Sequence, residues 1–486
     1  MTQTIEPAGL VDDAAAIGRL DESFALQRQA FRRQPNPTAA ERKEWIEAVG
    51  AMMLKNRARI REAVASDFGS HPPLFADLVE MLGVVARAEY AAANVERWMA
   101  PERRDINPDT YGTGYAELRR EPKGVIGNIV PWNFPFDLSI GPLIDMFAGG
   151  NRVIIKPSEL SPASGQLLQD MLSETFDRDL VDVVLGDLDL ARRFPTLRWD
   201  HLMYTGSPGI GKEIAKAAAA NLVPVTLELG GKCPAVLTAD AVDAKSVSNI
   251  LGIKTIKNGQ MCVTVDYCLV PRDSVQKFVE IAQQQVAETM PNHSSTTDCT
   301  GIISERHLDR LLEVHADAVR NSKDVVQLDL EGGLDRETRR MPLSLVVEPA
   351  EHARVMQEEV FGPLLPIKPY DSLDEAIDYI NDGERPLALY VYSNDEAQAE
   401  RVLNETSSGG ACVNAAAMHS ALPALGFGGV GNSGTGRQHG FEGFTEFTNP
   451  RGIFVRGEDD AIDAYNAPYG PDKQAAIDEA VRQLGG

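Results

Sequence analysis

From Val125 onward the chain alternates short β-branched runs with helix-like stretches, and few folds accept that texture. Val125 to Val130, Arg152 to Ile155, Val181 to Leu185 and His201 to Thr205 read as strands. Strands separated by a helix's worth of residues are joined by crossovers, so they pair in parallel and need helices on both faces. The expectation is an α/β fold with a Rossmann-like sheet. A second alternation starts near Val223, with Ala235 to Leu237, Tyr267 to Val270 and Leu345 to Glu348 as strands. Helices at Ser274 to Met290 and Leu373 to Asn381 fit between them. This half reads as a separate α/β domain, closed by the glycine-rich Gly426 to Gly436.

The first hundred residues read as helical: Glu22 to Arg33, Thr38 to Phe68 with Pro37-Thr38 as its start signal, and Pro73 to Met99. Glu117 to Lys123, ended by Pro122 and Gly124, reads as a hairpin, either projecting toward another subunit or lying on the surface. A last helix-like stretch spans Lys473 to Leu484.

At 486 residues the chain exceeds one ordinary core. Its formal charge of -24 repels phosphate backbones and anionic lipid surfaces, so neither nucleic acid nor membrane is an expected partner. No apolar run is long enough to span a bilayer, and Met1 to Leu20 lacks the basic and apolar regions of a secretory leader. Five scattered cysteines form no Cys-x-x-Cys pair, which fits a reducing, cytoplasmic setting. The eight histidines show no metal-ligand spacing, so each reads as structural and no metal is expected.

Two motifs mislead. Gly206 to Lys212 has P-loop spacing, but Glu213 stands where a hydroxyl should hold magnesium and Pro208 removes a backbone donor. Gly426-Phe427-Gly428-Gly429-Val430-Gly431 matches G-x-G-x-x-G, yet no clear strand leads in and no helix leads out, so it reads as a tight loop. The chemistry lies elsewhere. Cys262 offers a nucleophile, Glu228 in Leu227 to Lys232 a base, and Asn133 in Pro131 to Phe136 an oxyanion donor. Together they point to acyl chemistry at a carbonyl.

These segments, with Ile155-Lys156-Pro157-Ser158-Glu159, Thr205-Gly206-Ser207, Gly259-Gln260-Met261-Cys262 and Glu358 to Pro363, resemble the aldehyde dehydrogenase superfamily in order from about Leu118 to His439. Met356 to Pro363 and Phe427 to Gly434 resemble its class 3 enzymes, most nearly the coniferyl aldehyde dehydrogenases. The resemblance implies an aldehyde dehydrogenase-like fold: a helical N-terminus and NAD(P)-binding domain over 1–108 and 124–228, a catalytic α/β domain over 229–434, and an oligomerisation hairpin with a C-terminal tail over 109–123 and 435–486.

It also implies oxidation of a hydrophobic or aromatic, coniferyl-like aldehyde to the acid. Cys262 would carry a thiohemiacetal and then a thioester, Asn133 and the Cys262 N–H would bind the oxyanion, and Glu228 would activate water. Pro131, Trp132, Lys156, Ser158, Glu159, Gly206, Ser207, Gly211, Leu229, Gly230, Glu359 and Phe361 are implied to hold the cofactor. Glu159 favours NAD over NADP, though class 3 relatives use both, and a homodimer is implied. Met261, Val263, Thr264 and Ala415 to His419 are expected to line or back the aldehyde pocket. Where the family writes Asn-x-Gly-Gln-x-Cys, this chain carries Lys257-Asn258-Gly259-Gln260-Met261-Cys262. Val265-Asp266-Tyr267 and Gly426 also depart from the class 3 wording.

Overall fold

A computed structural model describes residues 13–485; residues 1–12, which include most of the segment read for a leader, lie outside the described residues. The N-terminal helices are Asp13–Arg33, Ala39–Lys55, Arg57–Phe68 and Gly83–Met99. Thr38 caps the second through a capping box with Glu41, as its Pro-Thr signal predicts. The continuous helix expected over Thr38 to Phe68 is instead two, because buried Asn56 leaves helical geometry and donates its side-chain amide to Met52 O at 2.9 Å. The helix expected from Pro73 is also interrupted: a π-helical segment, Ala76–Leu82, precedes Gly83–Met99. Glu80 sits in that segment and is fully buried.

The first sheet runs in the order Gly434–Thr435, Val225–Leu229, His201–Gly206, Val125–Ile129, Arg152–Lys156, Val181–Val183. Its five longer strands are parallel, while Gly434–Thr435 pairs antiparallel with Leu227 and Glu228. The order in which strands are added reverses between Val125–Ile129 and His201–Gly206, opening a crevice at their carboxyl ends. The glycine-rich segment therefore crosses from the second half to edge the first sheet, rather than only closing its own half. Its tight packing explains the composition: a Cβ on Gly429 would lie 2.0 Å from Ser433 O.

The second sheet has seven strands: Ser322–Gln327, Ser344–Pro349, Leu364–Tyr370, Tyr267–Pro271, Pro234–Leu237, Ala388–Tyr392 and Gly410–Val413. All pairings are parallel except that of Ser322–Gln327. A large apolar cluster joins one face of the first sheet to one face of the second. A third sheet places Tyr115–Pro122 between Glu102–Arg104 and Thr448–Val455. The local hairpin expected at Glu117 to Lys123 is thus one central strand, whose neighbours come from before it and from the far C-terminal part of the chain. Beyond lies the exposed helix Pro471–Gln483.

Candidate active site

Asn133 follows strand Val125–Ile129 into the crevice and is buried. Its side-chain amide donates to Gln260 O at 3.3 Å, two residues before Cys262. The loop that carries Cys262 is forced into shape at both ends. Lys257, Asn258 and Gly259 have φ of 49°, 54° and 77°, three consecutive left-handed residues. At Gly259 only glycine fits, since a Cβ would stand 2.2 Å from Gly362 O. Gln260 then clips the turn, donating to Lys257 O at 2.8 Å and Gly301 O at 3.0 Å while accepting from Ile303 N at 3.0 Å. Behind Cys262, the Cys233 thiol donates to its carbonyl at 3.3 Å.

Glu228 comes from strand Val225–Leu229 and is buried, with neither carboxylate oxygen hydrogen-bonded. Burial pushes its carboxyl well above the usual range, against the pull of Arg437 and with a further push from Glu446. The Cys262 thiol is pushed up to about 12, first by burial, then by the Glu359 and Glu228 carboxylates. It is a thiol at neutral pH, so it must lose its proton before it can attack.

Glu359 lies over Gly230, where a Cβ would meet its carboxylate at 2.1 Å. Burial and then Asp266 raise its carboxyl to about 8, and its Oε1 has no partner. Asp266 holds the loop beneath: it accepts from Val360 N at 2.9 Å and pairs with Lys232 at 2.5 Å. Phe361 stands at φ 50°, edge-on to Trp132 at 5.4 Å.

These groups line one cavity of about 260 Å³. It gathers Asn133, Glu228 and Cys262 with Pro131, Trp132, Gly206, Ser207, Leu229, Gly230, Glu359 and Phe361. Lys156, Ser158, Glu159 and Gly211 stand outside its lining. Lys156 is buried and reaches Glu159 at 3.3 Å, and Ser158 accepts from Leu160 N at 3.2 Å. Gly211 faces the sheet, where a Cβ would come 2.7 Å from Leu229, so helix packing explains this glycine.

His307 and Arg310, which the sequence reading left structural or unmarked, also line the cavity. Both stand on one face of helix Glu305–Asn321, three residues apart, a signal indistinguishable from an ordinary amphipathic surface. A second cavity of about 170 Å³ shares Leu138, Cys262 and Phe427 with the first. Met261, Val263, Ala417 and Met418 line it as expected, joined by Leu78, Val79 and Phe134. Thr264, Ala415, Ala416 and His419 stand outside its lining, with His419 Nδ1 3.4 Å from the Cys412 sulfur.

The sequence pattern of the aldehyde dehydrogenase family matches residues 11–453. A protein of Pseudomonas aeruginosa named probable coniferyl aldehyde dehydrogenase is 42% identical, covering 95% of this chain and 96% of its own. The coniferyl aldehyde dehydrogenase of a Pseudomonas species is 40% identical over 94% and 96%. Human aldehyde dehydrogenase family 3 member B1 is 34% identical over 90% and 92%. Among solved structures, substrate-bound Staphylococcus aureus AldH superposes with a TM-score of 0.89 at 32% identity, covering 95% of this chain and 99% of its own.

Proposed function

The chain belongs to the aldehyde dehydrogenase family and is an NAD- or NADP-dependent aldehyde dehydrogenase, and from that premise we propose which residues do the work and on what aldehyde. Cys262 is the nucleophile. Glu228, with two unpaired oxygens, takes its proton, gives it up to solvent, and as a carboxylate again takes that of the hydrolytic water. The Asn133 amide and the Cys262 N–H receive the oxyanion as Sγ bonds to the aldehyde carbon. The thiohemiacetal becomes a thioester on Cys262, which water cleaves to the acid. The observation that carries this reading is the Asn133 bond to Gln260 O at 3.3 Å, which sets the amide beside the nucleophile loop within the cavity that Glu228 enters.

The residues present fit the cofactor. Buried, unpaired oxygens of Glu228, Glu359 and Thr205 surround a cavity large enough for one ring system, which suits a ligand rich in hydroxyl and amide groups. When bound, the nicotinamide supplies the hydride acceptor. Glu359 and Phe361 steady its ribose and ring, while Pro131, Trp132, Leu229 and Gly230 wall the site. Gly206 and Ser207 approach the pyrophosphate, where helix Pro208–Ala219 begins. Lys156, Ser158 and Glu159 take the far ribose, and the Glu159 carboxylate favours NAD by repelling a 2′-phosphate.

The aldehyde is hydrophobic or aromatic and coniferyl-like. The names of the two Pseudomonas relatives support this, as do the apolar walls of the second cavity, Leu78, Val79, Phe134, Met261, Met418 and Phe427. A homodimer is formed through the three-stranded sheet, in which Thr448–Val455 is an edge strand. The setting is cytoplasmic, in keeping with five free cysteines; no described helix is long and apolar enough to cross a membrane. The test is NADH and NADPH formation from a panel of aromatic and aliphatic aldehydes, beside Cys262→Ala. Turnover lost in the variant with cofactor binding kept is the expected result; turnover retained by it would sink the assignment.

A further inference from the structure

Lys257, where the family pattern has asparagine, is fully buried in the nucleophile loop, and a buried ammonium needs a partner. It has one in Glu80, also fully buried, with Nζ 2.8 Å from Oε1. Glu80 is held by the π-helical segment Ala76–Leu82, far away in sequence. Its second oxygen accepts the backbone N–H groups of Phe136 and Asp137, each at 3.1 Å. Those residues follow Asn133 by three and four positions, where helix Asp137–Ala148 begins. The ammonium also lies over the rings of Phe68 and Phe134, at 4.4 and 4.8 Å. One carboxylate thus grips both halves of the reaction centre: the loop leading to Cys262 by a charge and the segment bearing Asn133 by two amides.

We propose that Glu80 and Lys257 are positioning residues, a buried tether that sets the Asn133 oxyanion donor against Cys262. The inference rests on the proposed roles of Asn133 and Cys262. A donor displaced by about 1 Å can cost on the order of 100-fold, so the tether acts on turnover more than on binding. Neither residue touches substrate or cofactor.

Stability and catalysis separate in the right variants. Lys257→Met alone leaves a buried carboxylate unpaired and lowers Tm. Adding Glu80→Gln removes that charge while leaving an oxygen for the two amides, so the pair variant regains Tm. Its kcat for an aromatic aldehyde stays about 10- to 100-fold down with KM little changed, because the charge that joins the halves is gone. In an Asn133→Ala background the same pair variant adds little further loss, since both act through one donor.

A folded pair variant with wild-type kcat, or full additivity with Asn133→Ala, overturns the tether. Should the pair variant fail to fold, Glu80→Gln alone keeps the test, with a fall in kcat of about threefold or more at unchanged KM expected; an unchanged kcat there overturns it equally. Asn133→Ala running at the wild-type rate would instead remove the oxyanion reading beneath the proposal, so the two failures look different.

Discussion

At the scale of single residues, the site is a set of ionisable groups that burial has shifted toward their uncharged forms. Cys262 with its thiol pushed up to about 12 should be alkylated slowly by iodoacetamide in the cofactor-free enzyme at pH 7, with a rate climbing about tenfold per pH unit toward pH 10. A flat profile would show an already ionised thiolate. Glu359 gives a stability test. Its carboxyl is raised from 4.5 to about 8, so the folded protein holds this proton more tightly than the unfolded chain. The stability it confers is full below the unfolded value and is lost as pH rises through about 8. Glu359→Gln should therefore gain Tm relative to wild type as pH goes from about 6 to about 9, measured without cofactor. A difference independent of pH would refute it. The proposed nucleophile, base and oxyanion donor were nameable from the sequence because each comes with a distinctive run of neighbours, and the structure brings all three to one cavity. The pairing of Glu80 with Lys257 was not, since residues 177 apart in sequence meet only through packing.

Among elements, local chemistry decides some boundaries and tertiary contacts the rest. Thr38 was readable as a cap, and Thr38→Ala should cost about 1 kcal/mol in denaturant unfolding. The break at Asn56 was not readable, because the apolar spacing continues through it while the backbone of Asn56 leaves helical geometry and its side chain bonds to Met52 O. Glycines sort by their surroundings. Gly18 is exposed within helix Asp13–Arg33 with open space around it, so Gly18→Ala should stabilise by about 0.5 to 1 kcal/mol. Gly259→Ala should destabilise by about 1 to 3 kcal/mol and slow turnover, since its φ of 77° and the Gly362 carbonyl both oppose a side chain. Equal melting temperatures for the two variants would contradict this ordering. The strand at Gly434–Thr435 escaped the sequence reading for a related reason: two residues paired by backbone alone carry no alternation.

For the whole molecule, the proposed active centre lies between two mostly parallel sheets. Glu228 and Asn133 come from the ends of first-sheet strands, Glu359 from the loop before the second-sheet strand Leu364–Tyr370, and Cys262 from the turn before Tyr267–Pro271. A ligand filling that cavity bridges both halves and binds only the folded state. NAD at about 100 times its Kd should therefore add about 2.7 kcal/mol of stability, seen as a rise in Tm. NADP should raise it less at equal concentration, through the Glu159 carboxylate. Equal shifts would remove that basis for cofactor choice.

By itself the sequence determined the α/β class, the parallel strands of both halves and the family, and it singled out the proposed catalytic set, because periodicity and short motifs record local backbone and chemical demands. Tertiary structure alone decided that Tyr115–Pro122 takes its main neighbour from Thr448–Val455, that Gly211 answers to Leu229, and that Lys257 answers to Glu80. Those facts depend on which surfaces meet once the chain has folded, and the partners lie too far apart along it to leave a local pattern.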